Sequence, residues 1–109
     1  MLIASIGGME LLSWSKLPQF LYLALTSYRH AKKTQGCVHV GLFRKGRIFF
    51  VLSVWEDRES MHEFAHFEAH KDLMKRASET TKSARNYCFE TEDTPSNEQA
   101  HAKWLGSAS

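Results

Sequence analysis

The sequence predicts an α+β domain with the element order β-α-β-β-α-β. Three observations carry this. Residues 16–34 repeat apolar side chains at helical spacing. Two β-rich runs, 37–44 and 47–55, are joined by the tight pair Lys45-Gly46. A second helical region is followed by SARNYCFET at 83–91, rich in aromatic and β-favouring residues. The chain has 109 residues, room for one domain and one core, and reads as a single domain over 1–109.

Taken in order, residues 2–14 read as one strand or two short ones, with Gly7-Gly8 as a bulge or bend. Ser15 is placed to cap the first helix, whose apolar side holds Leu17, Phe20, Leu21, Ala24, Tyr28 and Ala31. Arg29, His30, Lys32 and Lys33 crowd its last turns, where positive charge favours the helix dipole, and Gly36 stands at the stop position. The hairpin follows. Asp57 then caps a helical region over about 58–80. After the fourth strand, Pro95 and the box Ser96-Asn97-Glu98-Gln99 open a short tail helix over about 96–105, whose Trp104 is expected to pack back on the body.

This order is the split βαβ of ferredoxin-like folds. Right-handed crossovers put both main helices on one face of a four-stranded antiparallel sheet. The third strand, however, is apolar on both sides. One face carries Ile48, Phe50, Leu52 and Val54, and the other carries Phe49, Val51 and Trp55, broken only by Ser53. Two helices cannot cover both faces, so a second copy of the chain is expected to cover the other, giving a homodimer.

Hydrophobic content is 43%, charged content 24% and net charge +2, as in an ordinary globular protein. No nucleic-acid partner is expected. The basic residues fall in two clusters, Arg29/Lys32/Lys33 and Arg44/Lys45/Arg47, which read as a helix end and a hairpin turn. Cys37 and Cys88 lie far apart, without the spacing of a zinc ribbon or a disulfide framework. The N-terminal stretch lacks the basic region of a signal peptide, and no apolar run approaches the ~20 residues of a membrane span. A reduced, cytoplasmic setting with no membrane partner is the expectation.

HEFAHFEAH, residues 62–70, contains H-E-x-x-H as His62, Glu63 and His66. On a helix this can supply two zinc ligands and a general base, as in a zinc hydrolase. A catalytic zinc needs a third protein ligand and an open cleft. No candidate stands at the usual downstream spacing, and His70 comes too soon on an unbroken helix. No metal is therefore expected. Winding 61–78 at ~100° per residue puts Met61, Phe64 and Ala65 on one side and Leu73, Met74 and Ala77 nearly opposite. A break near Phe67–Ala69 resolves this. It turns His62 and His66 outward and sets His70 in an apolar face, between helices and sheet. His70 is either a satisfied core histidine or a pocket residue that donates a hydrogen bond or shuttles a proton. His39 carries the same two readings, and Trp55 is either packing or a flat pocket wall with one donor.

The segment LSVWEDRESMHEFAHFEAH resembles the antibiotic-biosynthesis-monooxygenase-like superfamily of dimeric α/β barrels. More narrowly, it is similar to an uncharacterised branch that also resembles spheroidene monooxygenase. The shared pattern is a strand ending Ser-x-Trp-Glu, a helix with a Phe, a break and a His. Here these are Ser53, Trp55, Glu56, Phe64 and His70. The resemblance extends over nearly the whole chain, through LPQFLYLALTSYRH, Gly36 and the tail helix ending at Trp104. It implies a homodimeric barrel with a pocket between sheet and helices, and His70 and Trp55 as catalytic candidates. It also implies oxygenation of a flat aromatic ligand without a bound cofactor, or haem binding and cleavage. Haem-degrading members use an Asn on the first strand, a Trp and a His. Trp55 and His70 match the last two, whereas Asn86 and Asn97 lie near the other end of this chain. The competing reading is a non-catalytic ligand-binding or structural homodimer.

Overall fold

The computed structural model describes residues 1–66, 71, 72, 75, 76 and 78–107. Its elements are β1 (Leu2–Leu11), a 3-10 turn (Trp14–Lys16), α1 (Leu17–Lys33), β2 (Cys37–Lys45), β3 (Ile48–Trp55), α2 (Arg58–His66), β4 (Thr81–Thr91) and α3 (Asn97–Gly106). The sheet order is β2-β3-β1-β4, with every neighbouring pair antiparallel. This is the ferredoxin-like arrangement predicted from the element order. The expected helix break near Phe67–Ala69 lies outside the described residues.

Local signals account for most boundaries. Asp57 accepts from the Ser60 N–H at 2.7 Å and starts α2. Ser96 and Gln99 form both bonds of a capping box and start α3. Gly36 and Gly46 take positive φ, at +91° after α1 and +63° in the hairpin, where side chains are disfavoured. Two expectations need correction. Ser15 does not cap α1: it lies inside the 3-10 turn with its hydroxyl 2.7 Å from that of Ser13, and Lys16 occupies the cap position. Gly7-Gly8 is neither bulge nor bend, because β1 runs unbroken through both. The register shift in β1 comes at Glu10/Leu11 instead.

The sheet separates two apolar layers. α1 and α2 share the inner face, where Ile3, Ala31, Val40, Trp55 and Met61 are buried with Tyr28 and Phe64 against them. The outer face carries Ala4, Ile6, Phe50, Leu52 and Val54, none more than 1% exposed. Their cover comes from the chain itself. α3 lies on this face with Ala100 and Trp104 buried in the cluster, and Pro95 is buried at its approach. The row that suggested a second copy is thus met in its centre by the tail helix. The Trp104 ring stands edge-on to Phe50 at 4.8 Å and its N–H donates to the Arg85 carbonyl at 2.9 Å. The Arg85 guanidinium lies 3.8 Å from the ring centroid and donates to the Trp104 carbonyl and the Ser107 hydroxyl. A Cβ on Gly8 would come within 2.5 Å of Trp104 Cζ2, so glycine is what lets this ring sit on β1. Lys45 and Glu98 add an ion pair at 2.9 Å, exposed enough that it contributes ~0–1 kcal/mol.

Candidate functional site

A cavity of about 590 Å³ opens between the inner sheet face and the helices. Strand alternation supplies its floor, since residues two apart share a face. Val51, Ser53 and Trp55 come from β3, and Ser5, Gly7 and Met9 from β1. Tyr28 and Ala31 of α1 and Met61 and Phe64 of α2 form the opposite wall. The lining is mainly apolar, with Lys71 as its one cation besides Arg85 among the described residues. A shallower groove of about 650 Å³ runs along the outer face beside α3, between Tyr87, Phe89 and Lys103.

A polar strip crosses the apolar floor. Ser5 and Ser53 are register partners on β1 and β3. The Ser5 hydroxyl donates to Asn86 Oδ1 at 3.2 Å, and Asn86 Nδ2 donates to Cys88 Sγ at 3.5 Å. Trp55 Nε1 donates to the Ser53 hydroxyl at 3.0 Å. Groups with donors and acceptors inside a mostly apolar cavity are those that orient a ligand. Next to this strip, Cys37 donates to the His39 carbonyl at 3.6 Å, and burial raises its pKa above the usual thiol value.

Asn86 is the residue that the linear reading missed. It lies near the far end of the chain, but the split βαβ order pairs β4 with β1 and sets Asn86 opposite Gly7. The sheet order alone could have found it. Ser53 was legible as the one break in an apolar row.

Trp55 reaches the cavity, but it stands behind the wall. It is 0% exposed, its ring lies 5.1 Å from that of Phe64, and its donor is taken by Ser53. His70 lies outside the described residues. His39 is exposed and does not line the cavity, which removes its pocket reading. His62 and His66 are exposed, with ring centroids 6.0 Å apart and His66 Nδ1 2.8 Å from the His62 carbonyl. Among the described residues, no group of three or more His, Cys, Asp or Glu side chains is placed to hold a metal ion.

A family model described as "Domain of unknown function (DUF3291)" matches residues 26–103. No curated protein matches the sequence significantly. Solved structures do match in shape. A conserved protein from Methanosarcina mazei Go1 aligns with a TM-score of 0.78 at 18% identity, covering 84% of this chain and 94% of that one. SnoaB, a cofactor-independent oxygenase from Streptomyces nogalater, aligns at 0.75 and 10% identity over 85% and 95% of the two chains. A Caulobacter crescentus CB15 protein assigned as an antibiotic biosynthesis monooxygenase aligns at 0.77 and 13% identity, over 84% and 91%. At these identities the likeness is one of fold, and it is the monooxygenase-like fold that the motif around Trp55 implied.

Proposed function

We propose that this chain, which belongs to the DUF3291 family, uses the inner cavity to bind a flat aromatic ligand and to oxygenate it without a bound cofactor. The observation that supports this best is the polar strip of Ser53, Ser5 and Asn86 across an apolar floor. A planar phenol would lay its ring on the apolar walls and direct its hydroxyl at Asn86 and Ser5. Loss of a proton makes such a ligand an electron-rich anion that can itself reduce oxygen, so the protein need only bind, orient and stabilise charge. Lys71 at the lining is the cation available to the anion. Trp55 acts here by holding Ser53 in place. His70 enters as proton acceptor on the sequence motif alone. The described lining holds Tyr28 and Met61 but no histidine or cysteine, and no step here runs through haem. A homodimer also belongs to this reading. Half-buried Tyr87 and Phe89 flank α3 on the outer face and would extend the contact beyond the helix.

Full burial of Trp55 favours a second reading, a ligand-binding domain without catalysis. Titration with polycyclic phenols, with haem alongside, and measurement of oxygen uptake separate the two. The first reading expects binding with oxygen consumption, and affinity weakened about tenfold in Asn86→Ala, the scale of one hydrogen bond in an apolar site. His70→Ala should bind but not consume oxygen. Binding without uptake leaves the second reading, and no binding of any flat ligand refutes both. Sedimentation showing only monomer at micromolar concentration would refute the dimer.

A further inference from the structure

The outward face of α1 is unlike the rest of the surface. At ~100° per residue, Pro18, Leu21, Tyr22, Leu25, Arg29, Lys32 and Lys33 fall within one arc of about 120°. Leu21 is 37% exposed, Tyr22 68% and Leu25 45%, so three large apolar side chains stand together in water. Scattered exposed leucines need no account, but a continuous stripe on one helix does. Cations bound it at both ends. Arg29, Lys32 and Lys33 are exposed at its C-terminal half. At the other end, Trp14 is 47% exposed, with the Arg44 and Arg47 guanidinium carbons 5.9 and 6.0 Å from its ring.

The charge distribution behind this is one-sided. Residues 11–55 hold seven basic residues and no acidic one, so all twelve acids of the chain fall outside that stretch. The net charge of +2 conceals a strongly cationic half.

We propose that this face, α1 with Trp14 and the hairpin tip, seats the domain on an anionic lipid surface. Exposed Trp, Tyr and Leu flanked by Arg and Lys are what a headgroup layer accepts: apolar groups enter the boundary while the cations meet lipid phosphates. Leu21 and Arg44 border an apolar hollow between α1 and the hairpin strands, but at about 210 Å³ it is too small to seat a partner helix. The aliphatic centre of the face is also unlike a track for nucleic acid. Among the described residues no helix is long and apolar enough to cross a membrane, and the contact proposed is a peripheral one. Tyr28 and Ala31, on the inward side of the same helix, line the cavity, so an apolar ligand held in the bilayer would lie close to the cavity wall. The proposal itself is independent of what the cavity holds.

Trp14 is a built-in probe, because Trp55 and Trp104 are 0% and 7% exposed. The protein is mixed with vesicles of phosphatidylcholine alone, or with about one third phosphatidylglycerol. The expected result is co-sedimentation with the anionic vesicles only, a blue shift of tryptophan emission, and reversal of both in high salt. Tyr22→Ser with Leu25→Ser should remove the shift. Arg29→Gln with Lys33→Gln should weaken partitioning about fivefold per charge. Unchanged far-ultraviolet dichroism and unchanged urea midpoints would show that both variants are folded. Equal binding to neutral vesicles, no binding to anionic ones, or insensitivity to these variants overturns the proposal. So does a blue shift given by single-stranded RNA but not vesicles, which assigns the face to nucleic acid. A shift that grows with protein concentration alone assigns it to a second copy.

Discussion

Substituting Gly8 by alanine should test how α3 is held. The added Cβ would lie 2.5 Å from Trp104 Cζ2 and 2.8 Å from both Trp104 Cε2 and Phe50 Cε1. Ordinary carbon contacts lie at ~3.5–4.0 Å, so the indole must retreat by about 1 Å. It has little freedom to do so. Phe50 lies edge-on to it, Arg85 covers its face, and its N–H is committed to the Arg85 carbonyl. Overpacking of this kind costs about 1–3 kcal/mol. Trp104→Ala removes the obstructing ring and should itself cost about 3–5 kcal/mol. In that background only Phe50 Cε1 still stands 2.8 Å from the added Cβ, and its ring can turn into the space the indole leaves, so the cost of Gly8→Ala should fall by about 1 kcal/mol or more. The cost therefore differs between backgrounds. Urea unfolding followed by circular dichroism, at one protein concentration and with matching m-values, gives the four free energies. If Trp104→Ala leaves too little stability to measure, Trp104→Leu removes the same ring atoms. A cost for Gly8→Ala equal in both backgrounds to within ~0.5 kcal/mol would refute the reasoning, since Gly8 would then serve the backbone and not the indole.

Further outcomes follow from single contacts. Ser96→Ala breaks the capping box and should cost about 1 kcal/mol; hydrogen exchange should quicken in α3 while the central amides of β3 stay protected. Hydrogen bonds from the Ser60 N–H and hydroxyl hold the Asp57 carboxyl below its ordinary pKa. Its contribution is therefore full above the ordinary carboxylate value and is lost as pH falls through the lowered one. Urea midpoints taken from neutral to strongly acid pH should fall less steeply in Asp57→Asn, and an unchanged slope would dismiss the cap as a source of acid sensitivity. The Cys37 thiol, pushed up by burial, should alkylate more slowly than a free cysteine in mildly alkaline buffer and recover the normal rate in urea.

Features that act within a few residues were readable in the sequence. Asp57, the Ser96–Gln99 box, Gly36 and the Lys45-Gly46 turn all sit where their local chemistry placed them, and the element order gave the topology. Features decided by distant partners were not. The role of Gly8 is set by Trp104, which arrives from the other end of the chain, so Gly7-Gly8 reads locally as a bend. Asn86 was judged by its distance along the chain, though strand order brings it beside Ser5. Ser15 resembled a cap because nothing nearby announces the 3-10 turn that absorbs it. The outward stripe of α1 is hidden in the net charge, which averages two opposed halves.

The place of β1 has a consequence for the order of folding. It precedes its partners in the domain, yet it lies inside the sheet, pairing with β3 at Ile48–Trp55 and with β4 as far as Thr91. β3 must leave the ribosome before β1 has any ladder partner, and β4 as well before both its edges are closed. Contacts this far apart in sequence make folding slower and leave apolar surface waiting. Ile3, Ile6 and Leu11, buried in the finished domain, are therefore the side chains that stay open longest during synthesis. A chain stalled or cut before β3 would present them, with both edges of β1 unpaired, to whatever chaperone or neighbouring nascent chain arrives first.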